Sequence, residues 1–287
     1  MKKYLTLSLL SLFLLGGLFF YQNAKLNDQR LHLVVCNVGQ GDAIYIKTPS
    51  GKDILVDGGP NDLVLNCLTS NMPFWDRTID LVILTHPDAD HITGLIPVLE
   101  RYNVLHFVTS KTSKSTAIYK NFLKALENEG LELKYVFAND KINFGDGVVS
   151  KIIWPSFGSL NSQVIKESEV NEYSVIQLIT YGNFKALLTG DAGVFTVDKI
   201  VKDAGDIDVL KVPHHGSKTG FSSLFLENTR PEVGLISVGA KNRYGHPSAY
   251  SLDLLNKHNV KVLRTDKNGE IEVLSDGKSY EVYSGLN

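Results

Sequence analysis

A chain of 287 residues, 43% hydrophobic and 21% charged, is long enough to bury one large core or two small ones, and its balanced charge excludes a disordered chain or a coiled coil. The formal charge is −2, and −4 once Lys2 and Lys3 are set aside, so bulk charge does not make it a general nucleic-acid binder. Any polyanion must be met by a local patch or by metal.

Lys2 and Lys3 precede an uncharged, Leu- and Phe-rich stretch of 18 residues from Tyr4 to Tyr21. That length lies between a signal-peptide core and a membrane span of about 20 residues. "FFYQNA" offers no small-x-small cleavage site, and no cysteine stands where a lipid anchor would need one. Residues 1–24 are therefore read first as an uncleaved signal-anchor and second as a secretory signal, with a buried N-terminal helix as the plainer reading. The two lysines predict a cytoplasmic N-terminus and an outside domain over 30–287.

"LHLVVCNV", "DAIYIKT" and "DILVDGG" read as successive strands, and "IDLVILTH" as a buried one. "TGLIPVLERYN" has helical apolar spacing, and "TSKSTAIYKNFLKALENEG" reads as an amphipathic helix capped at Gly130. Strands return in "LELKYVF", "KINFGDGVVSKIIWP", "YSVIQLITYGNFKALLTGD" and "IDVLKVPHH". "SSLFLENTRP" is helical, "EVGLISVG" a strand and "SAYSLDLLNKHN" a helix. "VKVLRTDKNGEIEVLSDGKSYEVYS" closes as strands joined by Asn-Gly and Asp-Gly turns. Residues 155–172 form the longest expected mobile loop. Without a composition break after residue 30, these elements predict one domain of two sheets covered by helices. Of the two cysteines, Cys36 sits in an apolar run and reads as a free buried thiol; a bridge to Cys67 cannot be judged from sequence.

"LTHPDADHITG" places His86, Asp88, Asp90 and His91 directly after a strand. A strand end turning into a loop can aim several side chains into one cavity, and imidazole with carboxylate suits zinc or manganese. Alone, the stretch could also be an acidic solvated loop with incidental histidines, the lesser of the two readings. Three more strands end in the same way: "DILVDGG" at Asp57, "ALLTGDAG" at Asp191 and "DVLKVPHHGS" at His214 and His215. In a layered sheet fold, ligands at strand ends collect along one edge.

From about residue 31 to 275, the order of "NVGQGDAIYIKTPSGKDILVDGG", "LTHPDADHITG", "LLTGDA", "DVLKVPHHGS", "ISVGAKNRYGHPS" and "VLRTDKNGEI" resembles the metallo-β-lactamase superfamily, and within it the hydrolase domain of ComEC-type DNA-uptake proteins. The resemblance implies an α+β, αββα sandwich with two mixed sheets flanked by helices, and two divalent metal ions, Zn²⁺ or Mn²⁺, at the strand edges. By motif, His86 and Asp88 would hold one ion and Asp90 and His91 the other. Asp191 would bridge them, His215 would complete the second ion's ligands, and Asp57 would orient the ligands. Asp88 stands where the superfamily commonly has histidine. The histidine usual between the first cluster and the bridging aspartate is missing too; His106 is too close, and Asn171 to Ser174 lie near the expected position. Asn37 stands where the ComEC-like domains often have Asp.

A two-metal site makes a hydrolase. Ser217, Lys218 and Thr219 follow the last ligand, and Lys241, Arg243, Tyr244 and His246 form a second polar turn; such hydroxyls and cations suit phosphate. Asp90, His214 and His246 are the expected catalytic groups, with His214 facing substrate and His246 protonating a leaving alkoxide. The expectation is a free-standing phosphodiesterase or nuclease, one hydrophobic segment replacing the multi-span channel of the DNA-uptake proteins. DNA is the leading partner and the membrane a second; no protein partner is indicated. The alternatives are hydrolysis of a small or cell-surface phosphodiester, such as a phosphocholine group, and a tethered binding module that has lost the chemistry.

Overall fold

The computed structural model describes residues 2–161 and 165–285. The first sheet has the order Tyr280–Ser284, Ile271–Ser275, Leu31–Val35, Ile44–Lys47, Asp53–Val56, Leu81–Leu84, Phe107–Thr109, Lys134–Tyr135. The second has the order Lys261–Arg264, Val233–Ile236, Val209–Lys211, Phe184–Leu188, Ile176–Tyr181, Val148–Trp154, Lys141–Asn143. Both are mixed, as expected.

Alternation along each strand builds the layers, because successive side chains point to opposite faces. Leu31, Leu33 and Val35 face the second sheet, together with Phe184, Ala186 and Leu188 of that sheet. Val34, Leu55 and Val82 point the other way, onto Leu68, Leu95, Val98 and Phe122 of the outer helices. Leu187 and Leu210 likewise cover Val197, Phe225 and Leu255. Three apolar cores in series therefore separate four layers, helix, sheet, sheet, helix. Each fully buried Leu, Ile or Val contributes roughly 1.5–3 kcal/mol.

In the first sheet the strands Asp53–Val56, Leu81–Leu84 and Phe107–Thr109 run parallel. In the second, Phe184–Leu188, Val209–Lys211, Val233–Ile236 and Lys261–Arg264 do the same. Their C-terminal ends deliver Asp57, His86, Asp191 and His215 to one edge of the sandwich. Two glycines let the loops close there: a Cβ on Gly41, at φ +148°, would lie 2.1 Å from the Asp90 carbonyl oxygen, and one on Gly94 would lie 2.0 Å from that of Gly58.

The helix Lys2–Leu26 stands apart from these layers. Its window Lys3–Gln22 has a mean hydropathy of 1.8 and is not buried, and it is the single helix among the described residues long and apolar enough to cross a membrane. It meets the domain at its C-terminal end, where the Phe19 and Trp75 rings lie 4.5 Å apart and the Phe74 N–H donates to Gln22 Oε1.

Several sequence expectations change. Lys261–Arg264 and Ile271–Ser275 belong to different sheets, so Asn268–Gly269 is part of a crossover; only the Asp276–Gly277 turn closes a hairpin. The amphipathic helix begins at Ala117, where the Thr116 hydroxyl accepts from the Tyr119 N–H, which leaves residues 112–116 in a loop. Within the expected mobile loop, Phe157–Asn161 is helical and Glu167–Tyr173 is a 3₁₀ helix, while 162–164 lie outside the described residues. The helix Val64–Asn71, unread in the sequence, packs on the first sheet and carries Cys67 to Cys36, with Cα atoms 5.7 Å apart. Cys36 is therefore bridged, not free.

Candidate metal centre

Asp57 organises the first-sheet side of the site. It is fully buried, and its Oδ1 accepts from the Thr85 N–H at 2.7 Å. Its Oδ2 accepts from the Thr85 hydroxyl at 2.7 Å and lies 2.8 Å from His91 Nδ1. Holding Nδ1 turns His91 Nε2 toward the cleft. Thr85 in turn holds His86, with Oγ1 3.0 Å from His86 Nδ1.

On the second-sheet side, His214 and His215 have φ of 49° and 52°, a left-handed turn that non-glycine residues adopt at a cost of roughly 1–2 kcal/mol each. Strain of this kind collects at functional sites. His215 Nδ1 lies 2.9 Å from the Ser237 carbonyl and 3.3 Å from Asp42 Oδ1, which leaves Nε2 facing the cleft. Asp42 is buried and neutralised by the fully buried Lys211 ammonium at 2.7 Å.

Across the cleft, Asp191 Oδ2 lies 3.5 Å from His91 Nε2 and 3.3 Å from His215 Nε2. Asp90 Oδ2 is 3.5 Å from His215 Nε2 and 4.0 Å from His91 Nε2. One ligand atom from each of Asp90, His91, Asp191 and His215 lies within 4.8 Å of the other three. His86 Nε2, His91 Nε2, His215 Nε2 and Asp191 Oδ1 are buried without a hydrogen-bond partner. Buried polar atoms left unsatisfied cost about 1–3 kcal/mol each, and those of His91, Asp191 and His215 fall in one group of ligand side chains with the chemistry of a cation site. The residues present thus fit a divalent ion at Asp90, His91, Asp191 and His215.

The electrostatics agree. Burial works to lower the His91 pKa, but Asp191, Asp57 and Asp90 outweigh it and leave it well above 6.5. Burial likewise opposes a high pKa at His215, and Asp191 and Asp42 raise it well above the ordinary value. Burial pushes the Asp191 carboxyl up, yet His215 and His91 hold it well below the usual carboxylate range. Burial and then the His91 charge push His86 down.

The other expected residues fall into place unevenly. His86 Nε2 lies 3.8 Å from Asp88 Oδ2, but the other Asp88 oxygen contacts the Lys114 ammonium, so the pair expected to hold a separate ion is already engaged. Of residues 171–174, Ser174 Oγ accepts from the Asp191 N–H at 3.3 Å, and the Glu172 carboxylate accepts from the Thr196 hydroxyl. His214 Nε2 is 3.7 Å from Asp191 Oδ2 and its ring is 5.8 Å from that of His246, which puts both at the cleft. Burial, then His214 and His215, push the His246 pKa below its ordinary value. Ser217 is buried with its hydroxyl 3.3 Å from that of Thr219, an inward position unlike the expected substrate contact. Lys218, Lys241, Arg243 and Tyr244 are exposed; the Arg243 guanidinium lies over the Tyr244 ring at 5.2 Å, and that ring stacks on His246.

Sequence reading missed Asp42, Lys211, Thr85 and Lys114. A signal existed for two of them: Lys211 interrupts the apolar run "DVLKVP", and a lysine there needs a buried carboxylate, which Asp42 in "GQGDA" supplies. Asp57→Asn tests the orienting contacts. Asparagine tolerates the φ of 59° at this position, but its amide would donate to His91 Nδ1 and shift the ring proton to Nε2. Metal affinity is expected to fall about 10–100-fold with the fold retained, as read by calorimetry and circular dichroism.

The family model described as "Beta-lactamase superfamily domain" matches residues 52–219, more than half of the chain and a span that includes Asp57, the His86–His91 loop, Asp191 and His215. ComE operon protein 3 of Bacillus subtilis is 30% identical over 258 residues, covering 82% of this chain and 32% of that protein. Recombination protein 2 of Haemophilus influenzae is 27% identical over 250 residues, covering 83% of this chain and 28% of that protein. The chain therefore spans about a third or less of these relatives. Among solved structures, Zn(2+)-bound PqqB from Methylobacterium extorquens has the same fold, with a TM-score of 0.54 and 14% identity, covering 81% of this chain and 97% of that one. With four layers, a ligand edge built by parallel strand ends and a matching family model across that edge, the chain belongs to the metallo-β-lactamase superfamily.

Proposed function

We propose that the chain is a metal-dependent phosphodiesterase that degrades DNA outside the cytoplasm, held at the membrane by its N-terminal helix. The observation that carries the hydrolase part is the convergence of ligand atoms of Asp90, His91, Asp191 and His215 to within 4.8 Å of one another. A Zn²⁺ or Mn²⁺ ion bound there supplies Lewis-acid charge and an activated water for attack on a phosphoryl centre. The protein's own groups do the remaining work. Asp57 holds the His91 ring by Nδ1 and the Ser237 carbonyl, beside Asp42, holds that of His215, so that each Nε2 is presented without reorganisation. His214 and His246 line the mouth, where they can hydrogen bond a substrate oxygen. The exposed cations Lys218, Lys241 and Arg243 supply charge for a phosphate backbone.

DNA is favoured over a small ester by these cations, and by relatives whose names refer to the ComE operon and to recombination. The outside location is supported by the Cys36–Cys67 bridge, since structural disulfides belong to oxidising compartments. It is also supported by Lys2 and Lys3 preceding the apolar helix. Phe19 against Trp75 would seat aromatic rings where the span meets the domain.

Full-length protein loaded with Mn²⁺ or Zn²⁺ is expected to cleave plasmid or single-stranded DNA, and the rate at subsaturating DNA should fall steeply with salt as counterion release is suppressed. Cleavage of bis-p-nitrophenyl phosphate alone, insensitive to salt, would move the assignment to a small phosphodiester. No metal-dependent cleavage of any of these, at full metal occupancy, would sink the proposal.

A further inference from the structure

We propose that this protein binds one divalent ion and that the Lys114 ammonium, held on Asp88, occupies the place of the second. The inference rests on the metal-dependent reading above and extends it to the number of ions.

The two halves of "HPDADH" are built differently. Asp90 and His91 join Asp191 and His215 in a group whose ligand atoms lie within 4.8 Å of one another. Among the described residues, His86 belongs to no such group of three or more His, Cys, Asp or Glu. Its nearest acidic partner in the loop is Asp88, 3.8 Å from Nε2, and the second oxygen of that carboxylate, buried and without a hydrogen bond, is in ion-pair contact with Lys114 Nζ.

Lys114 arrives from the ligand edge itself. It lies in the loop after Phe107–Thr109, the strand paired in parallel with Leu81–Leu84, which delivers His86. The loop is fastened on both sides of the lysine: the Ser110 and Thr112 hydroxyls lie 2.9 Å apart, and the Ser115 N–H donates to Glu167 Oε1 at 3.0 Å. The Lys114 side chain is only 19% exposed, so its ammonium needs a carboxylate partner, and Asp88 is the one in reach. With Asp88 engaged, an ion beside His86 would have that imidazole and a share of Asp191 as protein ligands, short of the three that an open catalytic site requires. It would also stand next to a fixed positive charge of the same sign. The ammonium is itself a compact point charge suited to phosphate, so one ion and one lysine can offset a phosphodiester's charge where relatives of the common pattern would use two ions. Asp88 in place of histidine fits this arrangement, because a carboxylate binds an ammonium and a neutral imidazole does not bind it comparably.

The test counts ions. Full-length protein is saturated with Mn²⁺, freed of excess, and assayed for metal per chain by mass spectrometry, with manganese electron paramagnetic resonance on the same samples. We expect one ion and the spectrum of an isolated Mn²⁺ in the parent and in Lys114→Arg. Lys114→Met should take up a second ion and show an exchange-coupled pair. Two ions in the parent, or a folded Lys114→Met that stays at one, overturns the inference and leaves the metal-dependent reading intact. No ion in the parent overturns both. Should Lys114→Met fail to fold, the parent's spectrum alone decides, because a coupled pair there excludes the lysine from the second position.

Discussion

Asp191→Ala is expected to leave the protein without a tightly bound ion and to lower hydrolysis by more than about 100-fold, beyond the range that follows loss of a merely orienting partner. Among the described residues, Asp191 is the one carboxylate that faces His91, His214 and His215 together, at 3.5, 3.7 and 3.3 Å. The consequence depends on pH in a definite direction. The pKa values of His91 and His215 are raised above 6.5, so their pairing stabilises the metal-free fold fully below that value and is lost as pH rises through the raised ones. The Asp191 pKa is depressed, so its share is present above the ordinary 3.8 and is lost as pH falls through the depressed value. In the metal-free state the parent should therefore exceed the variant in stability most near pH 5 to 6, by about 3–5 kcal/mol if the pairs behave as a broken buried ion pair. That margin should shrink at alkaline pH, as urea denaturation at both ends of the range would measure. Metal uptake needs both histidines neutral, so at pH 7 it expels protons and tightens as pH rises. Full occupancy in Asp191→Ala would remove this carboxylate from the site.

Opening the Cys36–Cys67 bridge has the second large effect. It closes a chain segment with a sequence separation of 31, for which the entropic gain is about 3–4 kcal/mol. For a domain of this size that corresponds to a fall in Tm of roughly 10 °C. Cys67→Ser and dithiothreitol on the parent should give similar losses, since Cys67 is buried on a helix that the bridge fastens to the end of Leu31–Val35. Two free thiols in protein purified without reductant would contradict the pairing.

What could be read from sequence was local. Asp57, His86, Asp90, His91, Asp191 and His215 each stand just after an apolar strand, and strand ends in a layered sheet fold gather at an edge, where Asp90, His91, Asp191 and His215 come within 4.8 Å of one another. Two kinds of fact could not be read in this way. One is the partner of a group far away in sequence: Lys211 and Asp42 are adjacent only because strands of two sheets bring them together, and Cys67 reached Cys36 on a helix whose apolar spacing went unread. The other is where a pattern stops. The periodicity of the helix up to Gly130 absorbed Lys114 into the first turn, although Thr116 caps the helix after it; this hid the one cation that contacts Asp88. Asn268–Gly269 has hairpin chemistry, yet local turn preference carries no information on which sheet receives the next strand.

His91 and Asp90 are delivered by loops of the first sheet, Asp191 and His215 by the second. An ion shared by these four side chains is a cross-link between the two halves of the sandwich, made at the edge where the strands end. Its contribution grows with the free ion concentration, reaching about 4 kcal/mol at a thousand times the dissociation constant. The supply of metal in its surroundings would then set how firmly its two sheets are joined, and scarcity would loosen the fold at the very edge where it works.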